Sequence, residues 1–127
     1  MVVVDASAAV RALLHDDEAR RYLSTERLVA PHLVDAEVLQ TMRRLVARGA
    51  VTPRIADGAV RQWVQLGVRR LGVHWLSQRM WALRHNLSAY DASYVALAEA
   101  LNCPLLTADA RLAGAPGPDC PITLVPR

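Results

Sequence analysis

The 127-residue chain contains no lysine and no phenylalanine. Without lysine there is no Walker-type phosphate clamp, no Schiff-base chemistry and no lysine general base. All fifteen basic residues are therefore arginine, whose planar guanidinium binds phosphate bidentately. There are only two cysteines, Cys103 and Cys120, in no CxxC arrangement and with no Cys/His spacing of the zinc kind. They read as two buried thiols in a reducing compartment. Nor is there a long apolar run: nothing approaches the roughly 18 residues of a spanning helix. Val2, Val3 and Val4 stop at Asp5, too short and without the basic start of a secretory signal. The expectation is a cytoplasmic protein with no membrane partner.

What remains is a hydrophobic fraction of 53% and a net charge of +3, with a pI near 9.4. That is enough apolar material for the core of one domain, expected to span residues 1–127. The charge is a mild pointer to an anionic partner.

Short apolar runs alternate with helical patterns. Val2–Val4 is a β-branched run suited to a strand buried on both faces. Asp5 and Ser7 are capping types before a helix over Ala8–His15, and a second helix is expected over Glu18–Leu23. Leu28–Ala30 reads as a weak second strand. Pro31 opens a long helix to Arg48, ended by Gly49. Thr52-Pro53 starts another helix to Leu66. Val68–Leu76 fits either a strand or the entry to a helix that Ser77 caps over Gln78–His85. From Ser88 an amphipathic helix places Tyr90, Tyr94, Leu97 and Leu101 on one face. Pro104–Thr107 is an apolar strand, Asp109–Ala113 a helical turn and Ile122–Val125 a last strand. This alternation predicts a three-layer α/β/α sandwich with a mainly parallel central sheet. In such sheets ligands gather at the carboxyl ends of the strands.

Four acids fall where that rule looks. Asp5 follows the first strand and Asp109 the strand ending at Thr107. Glu37 lies near the start of the long helix, and Asp91 in the first turn of the Ser88 helix. Clustered carboxylates repel one another unless a cation lies between them. Mg²⁺ and Mn²⁺ take oxygen ligands and leave room for a substrate phosphate. Such ions polarise a phosphodiester and activate water. Each acid also has a purely structural explanation. Asp5 and Asp109 suit helix caps, Ser88-x-x-Asp91 is a capping box, and Glu37 suits a solvated helix face. Asp35 competes with Glu37, because it falls nearer the apolar face defined by Val34, Val38, Met42, Leu45 and Val46. The wheel leaves that choice open. Two non-enzymatic readings stay open as well: a receiver-type signalling domain, which generally needs a lysine this chain lacks, and a binding domain whose acids only cap helices.

The same residues match a known family. Val2-Val3-Val4-Asp5-Ala6-Ser7-Ala8 resembles the opening motif of PIN-domain VapC toxins. Ala30–Val38, Tyr90–Ala98 and Leu105–Leu112 resemble their second, third and fourth motifs, in family order. The resemblance implies a PIN-like fold and a metal-dependent endoribonuclease of a toxin–antitoxin pair that cuts tRNA, rRNA or mRNA. It implies Mg²⁺ or Mn²⁺ held by Asp5, Glu37, Asp91 and Asp109, choosing Glu37 over Asp35. Ser7 and Thr107 become groups that orient those carboxylates. RNA is the implied substrate, a VapB-type antitoxin the implied partner, and a homodimer the implied assembly. Arg11, Arg43, Arg44 and Arg111 lie on elements adjoining the motifs. Of these, Arg111 and Arg11 are the expected phosphate contacts. Trp63, Trp75 and Trp81 fit core or interface better than base stacking. The four histidines, His15, His32, His74 and His85, show no metal or catalytic spacing.

Overall fold

A computed structural model describes residues 1–126; Arg127, the last position of the expected domain, lies outside the described residues. Five strands run in the order β1 (Val2–Val4), β2 (Leu28–Pro31), β3 (Val68–Leu71), β4 (Leu105–Thr107) and β5 (Ile122–Leu124). They form one sheet ordered β3-β2-β1-β4-β5. Every neighbouring pair is parallel. β1 lies at the centre with all three valines buried, which is why its sequence is continuously apolar rather than alternating.

The helices are α1 (Ala6–Leu14), α2 (Glu18–Thr25), α3 (Val34–Ala47), α4 (Pro53–Gln65), α5 (Ser77–Ala82), α6 (Ala89–Leu101) and α7 (Ala110–Ala113). From β1 the chain first moves outward through β2 to β3, and α1, α3 and α4 pack against one another. It then crosses back to β4. Because parallel crossovers are right-handed, reversing direction moves the connecting helices to the opposite face. There α6 lies against β1, β2 and β4, with α5 beside it. The result is the expected three-layer sandwich. Its point of reversal falls between β1 and β4, where open parallel sheets bind ligands.

Several boundaries differ from expectation for local reasons. α1 starts at Ala6, because Asp5 and not Ser7 is its cap. Pro31 ends β2 instead of opening α3. Val68–Leu76 is divided between strand β3 and a 3₁₀ turn over His74–Leu76. Ser77 does not cap α5; its hydroxyl donates back to the His74 carbonyl. α6 is not amphipathic. Residues Ala92 to Ala98 are all buried, because the helix is covered nearly all round, and its alanines let it approach the sheet closely. Tyr90, expected on the apolar stripe, is exposed. Asn102 ends α6 in the left-handed conformation, with φ 52°, a role asparagine tolerates. Gly49 does the same after α3 at φ 75°. Among the described residues no helix is long and apolar enough to cross a membrane.

Leu97 is fully buried at the centre of α6. Leu97→Ala is expected to cost about 2–5 kcal/mol in equilibrium urea unfolding; a loss under about 1 kcal/mol would mean that α6 is not a core element.

Candidate active-site groove

The four acids arrive from four different elements and line one groove, together with Ser7, Arg11, Tyr90, Tyr94 and Arg111. Asp5 is at its floor, only 5% exposed. The Asp5 backbone N–H donates to the Leu106 carbonyl at 3.1 Å, continuing the β1–β4 ladder one residue past the strand. Its side chain caps α1: Oδ1 accepts from the Ala8 N–H at 2.9 Å and from the Ser7 hydroxyl at 2.7 Å. Oδ2 accepts from the Thr107 hydroxyl at 2.5 Å. Ser7 Oγ accepts from the Ala108 N–H, and Thr107 Oγ1 from the Asp109 N–H. Ser7 and Thr107 also lie 3.2 Å apart. One network thus fastens the ends of β1 and β4 together. Ser7 and Thr107, expected to orient a carboxylate, both donate to Asp5.

Glu37 projects from the first turn of α3, half-buried. Its Oε1 accepts from the Tyr94 hydroxyl at 2.6 Å, a bond that joins the helical layers on opposite faces of the sheet. Asp91 extends from the first turn of α6, whose cap is Ser88. Asp109 caps α7 through Oδ1, which accepts from the Arg111 N–H. Capping therefore employs one oxygen of Asp109 and leaves the other for different work.

That other work is visible in Arg111. A single nitrogen, Nη2, bonds Asp91 Oδ2 at 3.0 Å and Asp109 Oδ2 at 3.1 Å. The guanidinium is an internal counter-ion for two of the four acids. It is two-thirds exposed, so the pairing is weak and exchangeable. Arg11 also lines the groove, but Asp17 holds its Nε at 2.8 Å, and this expected phosphate contact is committed to an ion pair.

Burial and mutual repulsion shape the charges. Burial, with Asp91 adding repulsion, pushes Asp5 up to about 6 from 3.8, against the lowering effect of its three hydrogen bonds. Burial also raises Glu37, opposed by the Tyr94 hydrogen bond and again helped by Asp91. Burial and the carboxylate beside it hold the Tyr94 phenol far above its ordinary range, so it remains a donor.

Asp35 is elsewhere. Its Oδ2 takes Arg70 Nε at 2.8 Å, and its Oδ1 takes Arg70 Nη2 and Trp63 Nε1, each at 2.8 Å. The wheel placed it nearer the interior than Glu37, but its side chain is 42% exposed, and a clamp of arginine and tryptophan holds it there. Trp63 is core, whereas Trp75 and Trp81 are exposed and do not line the groove. Tyr94 was visible in the sequence only as a member of an apolar stripe; nothing local marks it as the partner of Glu37, 57 residues earlier.

The acidic end offers carboxylate and hydroxyl oxygens, a donor set that fits a hard divalent cation. Of the histidines, His15 lines the groove, at the other end of α1 from Asp5. Among the described residues no three Asp, Glu, His or Cys side chains stand close enough together to grip an ion unaided.

With this geometry in place, the comparisons with known proteins are informative. A family model described as PIN domain matches residues 2–117. Ribonuclease VapC9 of Mycobacterium tuberculosis is 54% identical over 127 residues, covering all of both chains. Ribonuclease VapC1 of the same organism is 44% identical over 128 residues, 97% of this chain and 96% of its relative. The crystal structure of M. tuberculosis VapC20, described as a sarcin-ricin loop cleaving toxin, superposes with a TM-score of 0.61. It is 22% identical and covers 91% of this chain and 96% of that one, which supports the fold.

Two outcomes test the geometry. Asp5→Asn preserves the network, since Thr107 can reverse its hydroxyl to accept from the new amide. A carboxyl raised from 3.8 to about 6 contributes stability that is complete below 3.8 and is lost as pH rises through about 6. Asp5→Asn is therefore expected to stabilise the protein at pH 8 by about 1–3 kcal/mol and to add little near pH 4. Melting curves at the two pH values read this directly, and equal shifts would contradict it. Asp35→Ala should cost about 1–2 kcal/mol by removing a hydrogen-bonded clamp, while leaving the groove's chemistry intact.

Proposed function

The chain belongs to the PIN-domain family, in its VapC ribonuclease branch, and on that premise we propose that it hydrolyses RNA phosphodiester bonds with the help of Mg²⁺ or Mn²⁺. One observation carries the reading. Acids from the ends of β1 and β4 and from the first turns of α3 and α6 line a single groove where the sheet reverses direction. Asp5, Glu37, Asp91 and Asp109 are the residues that would hold the ion. A bound ion supplies activation of water and stabilisation of the leaving oxygen.

The chain's own side chains do the rest. Ser7 and Thr107 hold the Asp5 carboxylate in one orientation, and Tyr94 does so for Glu37. Arg111 neutralises Asp91 and Asp109 in the resting groove. Its exposed guanidinium is free to exchange those carboxylates for a substrate phosphate, since it keeps further N–H donors. Arg11 contributes charge to the groove wall while held by Asp17. The lack of lysine disfavours a phospho-accepting role.

Kinship with the VapC ribonucleases extends the reading to a cytoplasmic toxin restrained by a VapB-type antitoxin and working as a homodimer. Co-expression with the product of the neighbouring gene, scored by growth, tests that partnership.

Asp5→Asn and Asp91→Asn are each expected to abolish cleavage of total RNA, and EDTA to do the same to the parent protein. Ser7→Ala should slow cleavage about 10–100-fold, the usual effect of losing a group that orients a metal-binding carboxylate. Cleavage that survived both Asp5→Asn and EDTA would falsify the proposal.

A further inference from the structure

The groove does not end at the acids. It has a volume of about 1560 Å³ and runs on along α3 to Ala50 and Val51. α3 contributes Glu37, Gln40, Thr41 and Arg44 to its wall, and its C-cap residue Arg48 continues it. These are positions i, i+3, i+4, i+7 and i+11, one continuous helical face; Val34, Val38 and Met42 are buried on another. At 1.5 Å per residue, Arg44 is about 10 Å and Arg48 about 16 Å along the axis from Glu37.

The arginines of the groove differ in what they face. Arg11, Arg70, Arg79 and Arg111 all have carboxylate partners. Among the described residues, Arg43, Arg44 and Arg48 have none; Arg44 donates only to the Thr41 hydroxyl on its own helix, at 3.4 Å. All three line the groove and are exposed. The cavity is therefore electrically polarised, with carboxylates at one end and unneutralised guanidinium groups along the other.

We propose that the α3 wall is a phosphate track, which holds the RNA backbone on one side of the bond being cut. The proposal rests on the ribonuclease reading and deepens it. A strand seated at the acids continues into the same cavity. At about 3.4 Å per stacked nucleotide, Arg44 meets a phosphate about three nucleotides from the cut, and Arg48 one about five nucleotides away. Gln40 and Thr41 supply neutral donors between the acids and Arg44. The enzyme then reads substrate length through charge, and a dinucleotide reaches the acids without reaching either arginine.

The test uses the full chain carrying Asp5→Asn, so that RNA is not consumed. Binding of a fluorescent oligoribonucleotide of about ten residues and of a labelled dinucleotide is followed by anisotropy across a salt series. Adding Arg44→Ala and Arg48→Ala together should lower the slope of log affinity against log salt by about 1.4 for the longer strand, about 0.7 for each phosphate that is no longer neutralised. The dinucleotide should bind unchanged. Arg44→Lys should retain most of the slope, since it retains the charge. Alanine is a good helix former at exposed positions, so an unchanged melting temperature separates weakened RNA binding from damage to the fold. An unchanged slope overturns the proposal and assigns these arginines to a protein partner; an equal loss on the dinucleotide also overturns it. Because binding is read without cleavage, an inactive parent protein would sink the ribonuclease reading and leave the track standing.

Discussion

Everything in the groove is built around one buried carboxylate. Asp5 extends the central strand by a residue, caps α1, and accepts a hydroxyl from the end of β4. It thereby locks together the two strands between which the sheet reverses direction. The arrangement is costly. Burial disfavours the charged form, and three hydrogen bonds offset only part of that, which is why the group sits well above its ordinary range. A helix cap alone would not require such depth, since a cap works at the surface at no desolvation cost. Depth is what a charged group needs when it is to act on something brought to it in a low-dielectric site.

The remaining acids are placed by different forces, and each has a dedicated restraint. Glu37 is tied by Tyr94 from the opposite helical layer, and Asp91 and Asp109 share one guanidinium. These restraints differ in strength. The tyrosine bond is half-buried and joins two layers of the sandwich, so it fixes geometry. The Arg111 pairing is exposed and easily exchanged. A groove whose rigid members are the floor and one wall, and whose counter-ion is loose, is preorganised where orientation matters and open where a charged ligand arrives.

Charge along the groove follows the chain in a simple way. The acids come from strand ends and first turns, where helix dipoles favour negative groups. Arg44 and the C-cap Arg48 come about two and three turns later on the same helical face. Among the described residues Arg43, Arg44 and Arg48 have no carboxylate partner, so that end of the groove wall is positive.

Much of this was legible in the residues. The valine run, the alternation of strands and helices, and the caps at Asp5, Thr52, Ser88 and Asp109 are local signals, and they prescribed an α/β sandwich with acids at strand ends. The convergence of those acids was not local. Asp5 and Thr107 are 102 positions apart, and no periodicity links them. The choice between Asp35 and Glu37 shows the boundary most clearly. A helical wheel only estimates depth, and by that estimate Asp35 was the better candidate; in the fold its side chain is 42% exposed, and β3 and α4 bring Arg70 and Trp63 to it. Tyr94 likewise read as core until α3 and α6 met over the edge of the sheet. The elements, their order and the chemical types at their ends were set by the residues alone, because caps, breakers and apolar periods act over a few positions. Which carboxylates share a groove, and which are neutralised, was settled by the assembled fold, because that depends on distances between elements far apart in the chain.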